Sequence, residues 1–261
     1  MIPKSFGKVI GNVGRTWRDN LAHVMIAKEI SPNVLTLVGL LINLAGGALI
    51  AFGARVATGW NWWHVAAGGV IFIANAFDIL DGAVARTAGR VTKFGAFFDS
   101  VLDRYSDMVL FGGAVTYFAL RHDVVLVVVS VLAFVGSIMT SYTRARAESL
   151  LPGKFDAGYM ERPERIVGVI VACVLSRLYM GMIIIAIWGN LTTFQRIWEV
   201  WRTSYNLEHP ENARARQSLG TSPAILQMLR ELIFWSYPRQ TWQNDALGVV
   251  LFLIILIAPV R

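Results

Sequence analysis

A single cysteine, Cys173, stands in 261 residues, so no disulfide can close within the chain and no thiolate metal cluster can form. Histidine is nearly as scarce. The four present, His23, His64, His122 and His209, are scattered without the spacing that a zinc site requires. Charge is thin too: Asp, Glu, Lys and Arg together make 16% of the chain, against about 25% in a typical soluble domain. The charge that remains is skewed to a formal +7. Nucleic-acid binding would need a folded basic domain with aromatic stacking platforms, and the sequence shows none. No internal repeat of the transporter kind is visible either.

Apolar residues fill the space that charge leaves, at 55% of the chain. A helix needs roughly 20 apolar residues to cross a bilayer, and Val34 to Ala54 supplies 21 without a charge. Five further spans are expected at Trp60–Phe77, Val109–Leu120, Val124–Tyr142, Ile166–Ser176 and Leu178–Phe194, with the third helix beginning near Phe94. Arg177, Leu178 and Tyr179 read as the tight turn between the last two. The expected fold is all-α, a polytopic integral membrane protein with a six-helix transmembrane bundle. Residues 1–30 read as an amphipathic juxtamembrane surface helix, with Lys4, Lys8, Arg15 and Arg18 among Phe6, Val9, Ile10, Val13, Trp17, Leu21 and Met25. Charges run through this segment, which is therefore not expected to be a cleavable signal. Residues 31–202 form the expected core domain. Residues 203–261 read as an extension with a possible additional membrane-associated segment at Ala246–Val260, which at fifteen residues is short for a span. Thirteen Lys and Arg residues fall in the amino-terminal segment and the Arg86–Lys93 and Arg144–Arg165 loops, against three (Arg55, Arg121, Arg177) on the other side. By the positive-inside rule the richer side is cytoplasmic, and the location expected is the cell membrane. Trp60, Trp62 and Trp63 read as an interfacial belt, and the net positive charge as affinity for anionic membrane lipids.

Acids among these runs are functional candidates by default. Asp78 and Asp81 are three residues apart, Asp99 and Asp103 four apart, so each pair projects from one side of a helix. Two such helices facing each other make a cup of carboxylates, which must either raise pKa values or take up cations. Oxygen-only ligands suit a hard ion such as Mg²⁺ or Mn²⁺. Gly82, Ala85 and Gly95 are small enough to let a diphosphate approach the backbone, and Arg86 can neutralise phosphate.

The complete spacing is D-x2-D-G-x2-A-R-x8-G-x3-D-x3-D, from Asp78 to Asp103. It resembles the signature of the CDP-alcohol phosphotransferase family, whose members move a phosphatidyl group from a CDP-lipid to an alcohol and release CMP. The resemblance runs from about Pro32 to Arg202. It implies metal ligation by Asp78, Asp81, Asp99 and Asp103, with two ions, and Asp103 as the general base. Ser31-Pro32-Asn33-Val34-Leu35-Thr36 resembles the family's entrance to its first span. It adds Asn33 and Thr36 to Asp81, Gly82, Ala85, Arg86 and Gly95 as CDP-binding residues. Thr92 and Lys93 are further phosphate candidates.

Ser141 to Glu148, Glu161-Arg162-Pro163-Glu164-Arg165 and Thr193 to Arg196 resemble stretches of the prokaryotic branch that makes phosphatidylinositol phosphate or its archaeal ether-lipid counterpart. That implies an acceptor phosphate held by Arg144, Arg165 and Arg196, with Arg162 as a substitute for Arg165. The expected partners are CDP-diacylglycerol, inositol phosphate and a second copy of the chain in a homodimer. Glycerol 3-phosphate or unphosphorylated inositol is the alternative acceptor. A divalent-cation transporter and a membrane-anchored scaffold are the rivals from other classes, and CMP release separates all three.

Overall fold

The computed structural model describes residue 16 and residues 18–56, 59–210 and 242–259. Within them the chain is helical, without a strand. Residues 18–27 form α1, followed by α2 (Pro32–Phe52), α3 (Trp62–Thr87), α4 (Lys93–Leu120), α5 (Val124–Leu150), α6 (Arg162–Val174), α7 (Leu178–Glu208) and α8 (Trp242–Ile257).

The helix boundaries follow local chemistry. Pro sits in the first turn of α2 and of α6, where its missing N–H costs nothing. Asn61, Thr92 and Asp123 cap α3, α4 and α5 by accepting backbone N–H groups. The turn before α7 lies two residues earlier than the sequence reading put it. Ser176 adopts φ 54° and closes α6, while Leu178 and Tyr179 are already helical and buried. An apolar residue pair gains more by packing inside than by standing in an exposed turn.

Four helices, α2 with its following turn, α3, α5 and α7, are long and apolar enough to cross a membrane. α4 has the length, at 28 residues, but carries the acids. α6 has only 13 residues, too few to cross the hydrocarbon unaided.

Packing places α2 against α3 and α4, and α5 against α7. At the α2–α4 crossing a Cβ on Gly47 would lie 2.6 Å from the Val109 carbonyl oxygen. One on Gly113 would fall inside contact distance of the Gly47 carbonyl. Only glycine allows this approach, the way small residues let membrane helices close.

Most of the amino-terminal segment expected to lie on the membrane surface falls outside the described residues. In α1, Ala22 is buried in a small cluster with Leu35, Ala83 and Val84, while Leu21 and Val24 are exposed. The expected boundary at residue 202 falls inside α7, which continues to Glu208. α8 packs on α6 and α7. Leu251 and Ile255 join Met160 and Ile184 in a core cluster, and Tyr179 donates to the Pro259 carbonyl at 2.8 Å.

Candidate active site

The turn at 88–92 returns the chain from α3 to α4, bringing the two acidic stretches face to face. Asp78, Asp99 and Asp103 each offer a carboxylate oxygen within 4.8 Å of the others. All three are half-buried. A guanidinium has been drawn into the same place: Arg162, at the start of α6, sets Nη1 2.8 Å from Asp78 Oδ2 and 2.9 Å from Asp103 Oδ1. An oxygen-only donor set that already holds a cation fits a hard divalent ion.

Asp81 falls outside that three-residue group. It is buried, and Oδ2 accepts the Thr36 hydroxyl at 2.6 Å. Three residues of helix turn a side chain roughly 60° short of a full circle, which carries Asp81 away from Asp78 towards α2. Thr36 and Asp81, two expected nucleotide contacts, therefore meet directly. A third and fourth meet nearby, since a Cβ on Gly95 would lie 3.6 Å from Asn33 Oδ1. Gly95 N–H donates to the capping Thr92 hydroxyl at 2.9 Å, so Thr92 serves to start α4. Gly82 and Ala85 are half-buried and Arg86 is exposed. Arg86 reaches back along its own helix, its Nη1 lying 3.2 Å from where a Gly82 Cβ would be.

Beyond Asp103 a cavity of about 340 Å³ opens between α4, α5, α6 and α7. Its lining includes Asp103, Arg144, Glu161, Arg162, Arg165 and Arg196. The three arginines expected to bind the acceptor phosphate thus share one cavity with the expected base. Arg165 and Arg196 are each 1% exposed. Arg165 donates to the Met160 carbonyl at 3.0 Å, to Ser141 Oγ at 3.3 Å and to Asp107 Oδ2 at 3.4 Å. Arg196 donates to the carbonyls of Ala157 and Thr140, at 3.0 and 2.5 Å, and to Glu161 Oε1 at 2.9 Å. Arg144 is the most open of the three and pairs with Glu148 and Glu161 at 3.0 and 3.1 Å.

Two acids that the sequence reading did not assign prove central. Glu161 Oε1 receives both Arg144 and Arg196 and so fixes the spacing of two guanidinium groups. The sequence leaves Asp107 either to extend the acidic stripe or to pair with Arg104; Arg104 turns instead to the Ser100 carbonyl, and Asp107 faces α6. It is 2% exposed and accepts the Ser137 hydroxyl at 2.7 Å beside Arg165. Its place four residues after Asp103 on the same helix face was the available signal.

The profile of the CDP-alcohol phosphatidyltransferase family matches residues 29–195. The chain belongs to that family, and it is a membrane enzyme. It is 34% identical to archaetidylinositol phosphate synthase of Pyrococcus horikoshii over 69% of this chain and 89% of that protein. It is 35% identical to phosphatidylinositol phosphate synthase of Mycobacterium marinum over 69% of this chain and 78% of the relative. The crystal structure of Mycobacterium tuberculosis phosphatidylinositol phosphate synthase with CDP-DAG bound superposes with a TM-score of 0.64 at 31% identity. That superposition covers 70% of this chain and 93% of the other. A second structure of that enzyme, in complex with manganese and citrate, matches equally well, covering 70% of this chain and 88% of the other.

Proposed function

We propose that this chain transfers a phosphatidyl group from CDP-diacylglycerol to inositol phosphate and releases CMP. The observation that carries this reading is the continuity of the carboxylate cup with a cavity lined by Arg144, Arg165 and Arg196. A neutral alcohol would not require three guanidinium groups in so small a volume, whereas a phosphate-bearing one does. The names of relatives that differ in their lipid, archaetidyl in one and phosphatidyl in the other, share inositol phosphate.

In this reading Asp78, Asp99 and Asp103, together with Asp81, would hold the divalent ions. Two ions, Mg²⁺ or Mn²⁺, neutralise the diphosphate and the departing CMP when bound. Asn33, Thr36, Gly82, Ala85, Arg86 and Gly95 receive the CDP group. Asp103 accepts the proton of the acceptor hydroxyl. The freed oxygen attacks the lipid-side phosphorus, and the bond from that phosphorus to the CMP oxygen breaks. Arg165 and Arg196 hold the acceptor's phosphate, and Arg144 closes over it from the open side. Glu161 keeps Arg144 and Arg196 at their spacing.

The loops rich in Lys and Arg orient the site towards the cytoplasm of a multi-pass plasma-membrane protein. α4 and the short α6 complete a bundle of six. The homodimer expected from the resemblance belongs to the same reading, and cross-linking in native membranes tests it.

The decisive assay presents purified protein in nanodiscs with CDP-diacylglycerol and a panel of inositol phosphate, inositol and glycerol 3-phosphate, following CMP. Release is expected with inositol phosphate above the others, and its loss is expected on exhaustive chelation. Release with glycerol 3-phosphate alone, or full turnover in chelator, overturns the proposal. Absence of release combined with divalent-ion flux in vesicles would establish the transporter instead.

A further inference from the structure

Arg162 is the charged group for which the proposed chemistry has no stationary role. One nitrogen, Nη1, bridges α3 and α4 by contacting Asp78 Oδ2 and Asp103 Oδ1 at 2.8 and 2.9 Å. Its Nε faces Asp107 Oδ1 at 3.5 Å, and both of those buried atoms lack a hydrogen-bond partner. Arg165 and Arg196 are also tied to backbone carbonyls. Arg162 instead faces carboxylates: Asp78, Asp103 and Asp107. Its hold on the cup is therefore through charged partners, with a charge-assisted hydrogen bond to Asp78 Oδ2.

Two of those carboxylates, Asp78 and Asp103, belong to the group that can ligate a metal. Metal–oxygen bonds to Mg²⁺ are about 2.0–2.1 Å, and a divalent ion among these oxygens would stand against the guanidinium at a distance where like charges repel strongly. Ion and Nη1 cannot share the position. Arg162 also lines the cavity that holds Arg144, Arg165 and Arg196, so the side chain has a place to go by rotation of its flexible stem. There it would join Arg104, Arg144, Arg165 and Arg196, whose mutual repulsion an added phosphate relieves.

We propose that Arg162 is a built-in counter-cation of the carboxylate cup, which yields to the divalent ions and carries its charge into the acceptor cavity. Metal binding and acceptor-phosphate binding are then positively coupled through one side chain, and each strengthens the other by the same factor. Asp103, the expected base, is released from its ion pair only when both sites are filled. This inference rests on the reading of Asp78, Asp99 and Asp103 as metal ligands.

The test is a titration of Mn²⁺ into the full chain in nanodiscs, with free Mn²⁺ followed by electron paramagnetic resonance, with and without inositol phosphate. Coupling factors of this kind run from about 5- to 150-fold. Arg162→Gln is expected to bind Mn²⁺ about tenfold more tightly than wild type when no acceptor is present. Inositol phosphate should tighten Mn²⁺ in the wild type and change it little in the variant. Thermal unfolding adds a readout that a merely structural role would not produce. The variant should be less stable than wild type in chelator, and the difference should close in saturating Mn²⁺. Equal or weaker Mn²⁺ affinity in Arg162→Gln overturns the inference while leaving the metal site standing. A wild type that binds no Mn²⁺, or an Asp78→Asn variant that binds it as well as wild type, removes the metal site and the inference together. Should Arg162→Gln fail to fold, Arg162→Met, which also removes the charge and keeps much of the stem, replaces it, and Mn²⁺ affinity no higher than wild type would again overturn the inference.

Discussion

Asp107 and Arg165 form a pair sealed from water, at 2% and 1% exposure, and their fate on mutation can be worked out from the contacts. The separation of 3.4 Å corresponds to a gross attraction of about 5 kcal/mol at an effective dielectric constant of about 20. Most of that offsets the desolvation of two charges. Breaking such a pair by removing one partner nevertheless costs about 3–5 kcal/mol, because the other charge is left buried and uncompensated. Asp107→Asn keeps the shape and can still accept the Ser137 hydroxyl, a contact of 2.7 Å, so its effect isolates the charge. The expected loss is about 3 kcal/mol, at the low end because the contact is long and Arg165 retains the Met160 carbonyl at 3.0 Å. Replacing both members with apolar residues of similar volume, Asp107→Leu with Arg165→Met, should restore part of the stability, since the buried pair and its penalty leave together while Arg162 still loses the carboxylate it faces at 3.5 Å. It should not restore use of inositol phosphate, because Arg165 lines the acceptor cavity. The assay is unfolding monitored by tryptophan fluorescence on the two single variants and the double, with acceptor KM measured beside it. Additive losses in the double variant would show that the two side chains are not coupled, and the account of this buried pair would be wrong.

Two further outcomes test the chemistry. Asp103→Asn is expected to lower turnover by roughly 10²- to 10⁴-fold, the usual general-base contribution, while leaving CDP-lipid affinity largely intact. Asp78→Asn should lose metal and nucleotide binding, and equal loss of CDP-lipid affinity in both variants would make Asp103 a metal ligand first. In the proposed role Arg196→Gln would remove a charge-assisted bond to phosphate of about 1.5–3 kcal/mol, so KM for inositol phosphate should rise about ten- to a hundredfold. The KM for CDP-diacylglycerol should stay as it was, and a parallel rise in both would assign Arg196 to structure alone.

Helix positions were legible because apolar runs and caps are local signals. Pro32, Asn61 and Thr92 mark starts that the chain respects. The turn after α6 ends at Arg177 and not at Tyr179, because Leu178 and Tyr179 pack inside α7, and Arg177 is held there by contacts that local sequence does not show. The chain in fact folds its side chain back onto the carbonyls of Leu175 and Ala258, the second of them eighty-one residues away. The spacing of the aspartates predicted their shared faces, but two things lay beyond it. One was the destination of Asp81, which depends on Thr36 standing opposite it on another helix. The other was the pairing of Asp107, where α4 offered Arg104 three residues earlier while the partner that won, Arg165, comes from α6. Local spacing fixes direction around a helix axis. Only packing decides what stands there.

The arrangement of counter-ions carries the same lesson further. Arg144 and Arg196 converge on Glu161, while Arg162 and Arg165 converge on Asp78, Asp103 and Asp107. Each buried charge is thus compensated from a different helix, and the compensation is uneven. Glu161 serves two guanidinium groups and Glu148 joins it at Arg144, yet the cavity lining still carries five arginines against four acids, leaving positive charge facing the cavity. On the other side Asp78, Asp99 and Asp103 share the single guanidinium of Arg162, leaving negative charge at the cup. A phosphate-bearing acceptor and a divalent ion are the two ligands that such a divided field recruits, each to the side that lacks it. Charge-reversing Glu161→Lys should therefore force three cations together and destabilise the fold. A single Glu161→Gln, which keeps the acceptor oxygen, should spare the fold more than the reversal does. Unfolding curves of the two variants measure that difference, and equal destabilisation by both would mean that Glu161 acts by shape and not by charge.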